Sequence, residues 1–139
     1  MPLGEVFAEV TAKVTSVKYS DHGVGQTKIE VNVAGEVKGT VTGQTGGTFT
    51  VIRTGNDMTR AAPWTYVGRV LLASGHIASV MGQGLSIGTG QGHKIRFRGS
   101  MCGTNDDPKL SQLNSMISAF EAEADPIAGT LTGANCFWK

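Results

Sequence analysis

The chain is poor in the residues on which disulfide-stabilised and nucleic acid-binding proteins depend. Its 139 residues include two cysteines, Cys102 and Cys136, with neither a CxxC nor a Cys/His metal spacing. Lys and Arg number 12 against 11 Asp and Glu, so the net charge of +1 gives no field that would attract a nucleic acid or an anionic membrane. We therefore expect buried free thiols, no nucleic acid partner and no membrane partner.

Long apolar segments are also missing. No stretch approaches the ~20 apolar residues of a membrane span, and the N-terminal residues lack a basic region followed by an apolar run. These absences predict a cytoplasmic protein. The length of 139 residues suits one domain, so residues 1–139 are treated as a single unit.

Motifs for cofactors and metals are absent too. Residues 82–88, Gly-Gln-Gly-Leu-Ser-Ile-Gly, lack the third glycine of a dinucleotide-binding loop at the required spacing, and no helix is predicted after them. His22, His76 and His93 each border a glycine-rich turn, and no two have the close spacing of a zinc motif. We expect no cofactor and no metal, and no residue is identified as catalytic.

The chain does contain long stretches of alternating side chains. From residue 27 to residue 43, an apolar or glycine-containing row alternates with a row that is largely charged or hydroxylated. This pattern predicts one long strand, with glycines at 35, 39 and 43 giving the inner face room to bend. Seven further strands are predicted at residues 6–19 with a bulge near Ser16, 48–54 after a turn at 44–47, 64–73, 76–87, 94–101, 118–124 and 130–138.

The connections determine the predicted architecture. Short turns imply antiparallel neighbours, and closing the sheet on itself removes its exposed edges. Asp107 can cap a helix whose first turn holds Pro108, with Leu110, Leu113 and Ile117 as its apolar face. Residues 118–124 could extend that helix, but their alternation favours a strand. The prediction is a mainly β protein, an eight-stranded antiparallel β-barrel with one short α-helix, and a β-sandwich is the alternative. Six residues are expected in the interior: Val31, Val33, Val41, Ile95, Phe97 and Phe120.

Two charged rows allow two interpretations. Lys94, Arg96 and Arg98 share one strand face, and the acidic residues at 121, 123 and 125 share another. If the two strands pair, the rows can form cross-strand ion pairs on the surface. Turned inward, they would instead supply an anion or enolate stabiliser and an acid or base. The apolar row at 95, 97 and 101 favours the first interpretation.

The fourth predicted strand is apolar on both faces, which a strand with one wet face should not be. We expect the helix or a second subunit to cover its outer face, and we favour a homo-oligomer. The strand also follows the longest irregular connection, which contains Asp57. A ligand site is therefore predicted at that end of the barrel, formed by Trp64, Tyr66, Arg60 and Arg69.

A resemblance to known barrels follows from three segments and the spacing of the glycines. Residues 39–43, 47–51 and 66–70, with glycines at 82, 84, 88, 90 and 92, resemble the strand rhythm of the small barrels grouped with allene oxide cyclase and dirigent proteins. The predicted strand count is similar to that of lipocalin-type barrels. The resemblance implies a barrel whose mouth or lumen can hold a hydrophobic small molecule, and sometimes an oligomer of barrels. The function predicted is binding of such a molecule, with a cofactor-independent cyclase or isomerase as its catalytic form. The alternative is a noncatalytic structural or assembly protein with a side-chain-filled barrel.

Overall fold

Eight antiparallel strands, each hydrogen-bonded to the next and the last to the first, form a closed barrel. The structure is a computed structural model that describes residues 3–55, 59–90 and 93–138. It confirms the predicted barrel and excludes the sandwich. The strands are β1 (Leu3–Gly23), β2 (Gln26–Gly39), β3 (Gly43–Thr54), β4 (Ala62–Leu72), β5 (Ile77–Gly88), β6 (Ile95–Thr104), β7 (Ile117–Asp125) and β8 (Thr130–Trp138).

The prediction of one strand over residues 27–43 is wrong at its C-terminal end. β2 ends at Gly39, and residues 40–42 turn the chain into β3. Gly39 has φ +132°, a conformation that side chains disfavour, and the Thr42 hydroxyl donates to the Gly39 carbonyl at 2.9 Å. The turn predicted at 44–47 is wrong as well, because Gly46 and Gly47 lie within β3 opposite Ala34 and Val33.

The inner wall is apolar, as predicted, and all six expected interior residues belong to it or pack against it. Phe49 is at the centre of an aromatic cluster, with ring centroids 4.5 Å from Tyr66, 4.9 Å from Phe97, 5.5 Å from Trp64 and 6.2 Å from Phe120. This cluster fills the middle of the barrel. A second, smaller apolar group lies at one end of the barrel and consists of Ala8, Val37, Val70 and Leu72.

The helix is a 3₁₀ helix, Pro108–Ser115, and not the predicted α-helix. Its start is confirmed, since the Asp107 carboxylate accepts from the Lys109 backbone N–H at 3.0 Å and Pro108 lies in the first turn. The backbone leaves helical geometry at Leu110 (φ −116°, ψ 16°). Ile117 already belongs to β7, where it pairs with Cys102 and is exposed, so it is not part of the helix face. The strand predicted at 118–124 is confirmed.

No helix among the described residues is long and apolar enough to cross a membrane.

The cross-strand ion pairs predicted for the two charged rows are present on the outer surface of β6 and β7. Arg98 lies opposite Glu121 with a nitrogen–oxygen distance of 3.2 Å, and Arg96 lies opposite Glu123 at 3.9 Å. Lys94 also reaches Glu123, at 3.8 Å. Since these side chains lie on the outside, the inward-facing catalytic interpretation is wrong.

Two smaller predictions have mixed outcomes. The β1–β2 register shifts between Val14 and Ser16, which confirms the bulge. Both cysteines are free, and Cys136 is buried as expected. Cys102 is exposed, because strand alternation places it on the outer face of β6, next to the inward-facing Met101.

Candidate functional site

The two ends of the barrel differ. One end, called the helix end, carries the 3₁₀ helix with the turns at 40–42 and 73–76. The other, called the loop end, carries the connection between β3 and β4. At the helix end, a cavity of about 130 Å³ lies between the inner wall and the 3₁₀ helix. The aromatic cluster separates this cavity from the loop end.

The walls of the cavity are almost entirely apolar. The strands contribute Val37, Val70, Leu72, Met101 and Phe120, and the connection between β6 and β7 contributes Leu110, Leu113 and Met116. Two small side chains, Ala8 and Ala78, also line it. Leu110 and Leu113 lie over these alanines, and the cavity is partly open to the surface.

Six residues with polar, uncharged side chains are among the described cavity lining: Thr45, Tyr66, Thr104, Asn105, Ser118 and Asn135. The buried Ser118 hydroxyl lies 3.1 Å from the Asn135 amide oxygen and 3.3 Å from the Met101 carbonyl oxygen. Of the described residues that line the cavity, none carries a carboxylate, an imidazole or a cationic group. The cavity therefore offers neutral hydrogen-bonding groups on an apolar wall.

Tyr66 lies across two glycines of the inner wall. Gly47 and Gly68 face each other on β3 and β4, and a side chain on either would contact the Tyr66 phenol oxygen. Burial raises the pKa of the Tyr66 phenol above its usual value of 10.0, and a hydrogen bond with the Thr45 side chain partly offsets the effect. Tyr66 is consequently neutral at physiological pH.

The 3₁₀ helix is held in place by polar contacts at both of its ends. The Asn105 backbone N–H donates to the Asn114 side-chain oxygen at 2.8 Å, and the Asn114 amide donates back to the Asn105 carbonyl at 3.0 Å. The Lys109 backbone N–H is the main cause of a lowered pKa at Asp107, followed by a hydrogen bond from Ser74 and the nearby charge of His76. Asp107 thus links the helix to the turn between β4 and β5.

The structure places the four predicted site residues in different environments. Tyr66 lines the cavity, whereas Trp64 is buried in the aromatic cluster and donates from its indole to the Arg98 carbonyl at 3.3 Å. Arg60 is exposed at the loop end, and Arg69 is exposed on the outer face, where it donates to the Ser79 hydroxyl at 3.1 Å. Asp57 lies outside the described residues. Only Tyr66 therefore contacts the cavity at the helix end.

Sequence reasoning missed Ser118 and Asn135. A usable signal existed, because both are polar at positions where alternation turns the side chain inward. Within the described ranges, no group of three or more His, Cys, Asp or Glu residues is arranged to hold a metal ion. His76 instead lies 3.0 Å from the Ser74 hydroxyl through its Nδ1.

Comparison with known proteins supports the fold. No protein-family model matches the chain, and no curated protein matches it. A β-barrel-like protein from Acinetobacter baumannii AYE is similar over 100% of this chain and 98% of its own, with a TM-score of 0.77 and 14% identity. A protein of unknown function from Clostridium acetobutylicum ATCC 824 is similar over 95% of both chains, with a TM-score of 0.79 and 14% identity.

A third solved structure is described as an enzyme, from Penicillium herquei. It covers 98% of this chain and 96% of its own, with a TM-score of 0.66 and 13% identity. Identities this low show a common small-barrel fold alone. Membership of the allene oxide cyclase or dirigent group is not established by these matches.

Proposed function

We propose that the chain binds a small, uncharged, apolar molecule in the cavity under the 3₁₀ helix. The observation that carries the proposal is apolar space of about 130 Å³ within a barrel whose middle is filled by aromatic rings. Protein interiors are normally close-packed, so apolar space of this volume between the inner wall and the helix is a natural position for a ligand. An engineered apolar cavity of about 150 Å³ stays dry and takes up benzene or xenon.

The dimensions and lining of the cavity define the class of ligand. Sites for drug-sized molecules span about 300–1,000 Å³, so this space suits a molecule of about one aromatic ring. Ser118 and Asn135 offer a hydrogen-bonding position for one hydroxyl or carbonyl group. A carboxylate or ammonium would lose its hydration without gaining a counter-charge, so a neutral ligand is favoured. A larger ligand requires the 3₁₀ helix to move outward.

The same lining favours binding over catalysis. The titratable residues among the described lining are Tyr66, with its raised pKa, and Cys102, whose side chain is exposed on the outer face. Neither is suited to general acid–base catalysis near neutral pH. A cofactor-independent cyclase or isomerase built on this cavity would have to act through its shape and the neutral groups of Tyr66 and Ser118. We retain this catalytic form as a secondary proposal, because the similar barrel from Penicillium herquei is described as an enzyme.

A noncatalytic structural or assembly protein is the second candidate function. It is favoured by the aromatic cluster of Phe49, Trp64, Tyr66, Phe97 and Phe120, which leaves the middle of the barrel filled by side chains.

Calorimetric titration with toluene, phenol and indole tests the binding proposal. Ala78→Leu adds three carbons to the cavity wall, while Ala34→Leu adds the same group to the exposed outer face of β2 as a control. We expect saturable binding to the wild type and to Ala34→Leu, and at least tenfold weaker binding to Ala78→Leu. Equal binding to all three proteins, or no binding to the wild type, would contradict the proposal.

A further inference from the structure

The outer surface of the barrel is divided into charged and uncharged parts. The outer faces of β1 and β2 carry Glu9, Lys13, Lys28, Glu30, Glu36 and Lys38, and β6 and β7 carry the cross-strand ion pairs. All residues of β3, β4 and β5 are described, and their outward-facing side chains include one charged group, Arg69. The Arg69 guanidinium donates to Ser79 of the same chain.

Large apolar side chains occupy this uncharged part. Six residues of β4 and β5 form what we call the apolar face, and each has between 42% and 63% of its surface exposed: Val67, Leu71, Ile77, Met81, Leu85 and Ile87. The face is continuous across the strands, since Val67 pairs with Met81 and Leu71 pairs with Ile77. Met81 in turn lies opposite the exposed Cys102, which pairs with the exposed Ile117.

The chain's own helix does not cover this face. The 3₁₀ helix closes the helix end of the barrel, and the exposed fractions of the apolar face are those of the chain with the helix in place. With Ile117, these seven residues together expose roughly 700 Å², backbone included, compared with the ~300–600 Å² of the largest apolar patch on a typical monomer. It approaches the ~800 Å² that each partner buries in a standard stable interface.

We propose that a second copy of this chain packs against the apolar face. The exposed area approaches what one partner buries in a stable dimer, and the depletion of charged side chains in the apolar face is typical of an interface core. A twofold arrangement would bring the same apolar residues together from both copies, as two packed sheets do at a separation of about 10 Å. A membrane surface is a poorer partner, because binding there depends on several Lys or Arg around the apolar residues. Arg96 and Arg98 border Ile87 and Leu85 on β6, but they are paired with Glu123 and Glu121.

Sedimentation velocity between 1 and 100 µM tests the dimer. Met81→Glu places a charge in the centre of the apolar face, and Ala34→Glu places the same charge on the exposed outer face of β2 as a matched control. We expect wild type and Ala34→Glu to sediment as dimers, and Met81→Glu to dissociate with at least a tenfold rise in Kd. A monomeric wild type at all concentrations, or a Met81→Glu variant as dimeric as the wild type, would overturn the proposal. Flotation of a monomeric wild type with phosphatidylcholine–phosphatidylserine vesicles would also contradict it.

A second measurement uses the wild type alone, so its result does not depend on whether a variant folds. Cys102 is exposed beside Met81, whereas Cys136 is buried, so alkylation of the wild type can be assigned to Cys102 by peptide mass. The proposal predicts that the Cys102 alkylation rate falls at least threefold as protein concentration rises through the dimer Kd. A rate independent of concentration would count against the dimer. Both measurements are made without added ligand, so neither result depends on whether the cavity, which Cys102 also borders, binds one.

Discussion

Replacing Gly47 by alanine tests whether the Tyr66 ring lies across the glycine pair of β3 and β4. A Cβ at Gly47 would lie 2.5 Å from Tyr66 Cζ and 2.7 Å from Cε1, far inside the ~3.5–4.0 Å of an ordinary carbon contact. The ring must therefore move, and overpacking of this kind costs about 1–3 kcal/mol. Gly47 has no positive φ, so its backbone suits alanine, and the stiffer unfolded chain offsets about 0.4–1 kcal/mol of the cost.

A double-mutant cycle with Tyr66→Leu isolates the ring as the cause. Without the ring, Gly47→Ala should be neutral or stabilising by up to about 1 kcal/mol, which gives a coupling energy of about 1–3 kcal/mol. Gly68→Ala is the control, because its Cβ would also lie 2.8 Å from the Gly46 carbonyl oxygen and should destabilise both backgrounds. Guanidinium unfolding followed by circular dichroism gives the four free energies of each cycle. An equal cost of Gly47→Ala with and without the Tyr66 ring would refute this placement.

Three further predictions follow from buried and surface groups. Tyr66→Phe should reduce the loss of stability above about pH 10, because an unfolded tyrosine ionises there while the raised pKa keeps buried Tyr66 neutral. Urea unfolding of both proteins from pH 8 to 11 tests this, and parallel plots of unfolding free energy against pH would contradict it. Asp107→Ala should lower the melting temperature at pH 7 but not at a pH well below 3.8, because the lowered pKa means that the carboxylate stabilises the fold only when it is ionised. An equal fall in melting temperature at neutral and at acid pH would contradict this. Arg98→Ala should cost under about 1 kcal/mol and less still in 1 M NaCl, because its pair with Glu121 is exposed; a larger, salt-independent cost would oppose it.

The strands could be predicted because alternation reports directly which side chains face the interior. Ile95, Phe97 and Phe120 follow from that rule, as does the pairing of the charged rows on β6 and β7. The boundary between β2 and β3 could not be predicted, because the turn at 40–42 preserves the alternation and Val41 still packs against the apolar group at the helix end. The glycines at 46 and 47 indicate a turn equally well, although Gly47 makes room for Tyr66.

The position of the cavity was beyond prediction for a different reason. Alternation shows that Tyr66 and Leu72 face inward, but not which end of the barrel is filled and which retains space. That outcome depends on where the helix between β6 and β7 closes, and on the small volume of Ala8 and Ala78. The apolar face was foreseen from strand four, whereas its extension to Met81 and Leu85 required the β4–β5 register. Ligand binding and self-association both remain predictions.

Diffraction from crystals pressurised with xenon tests the central claim most directly, because xenon enters dry apolar cavities without needing a polar contact. The account predicts a strong anomalous peak at the helix end, between Val70, Phe120 and Leu110. No peak within the barrel, or a peak confined to the loop end near Arg60, would contradict it.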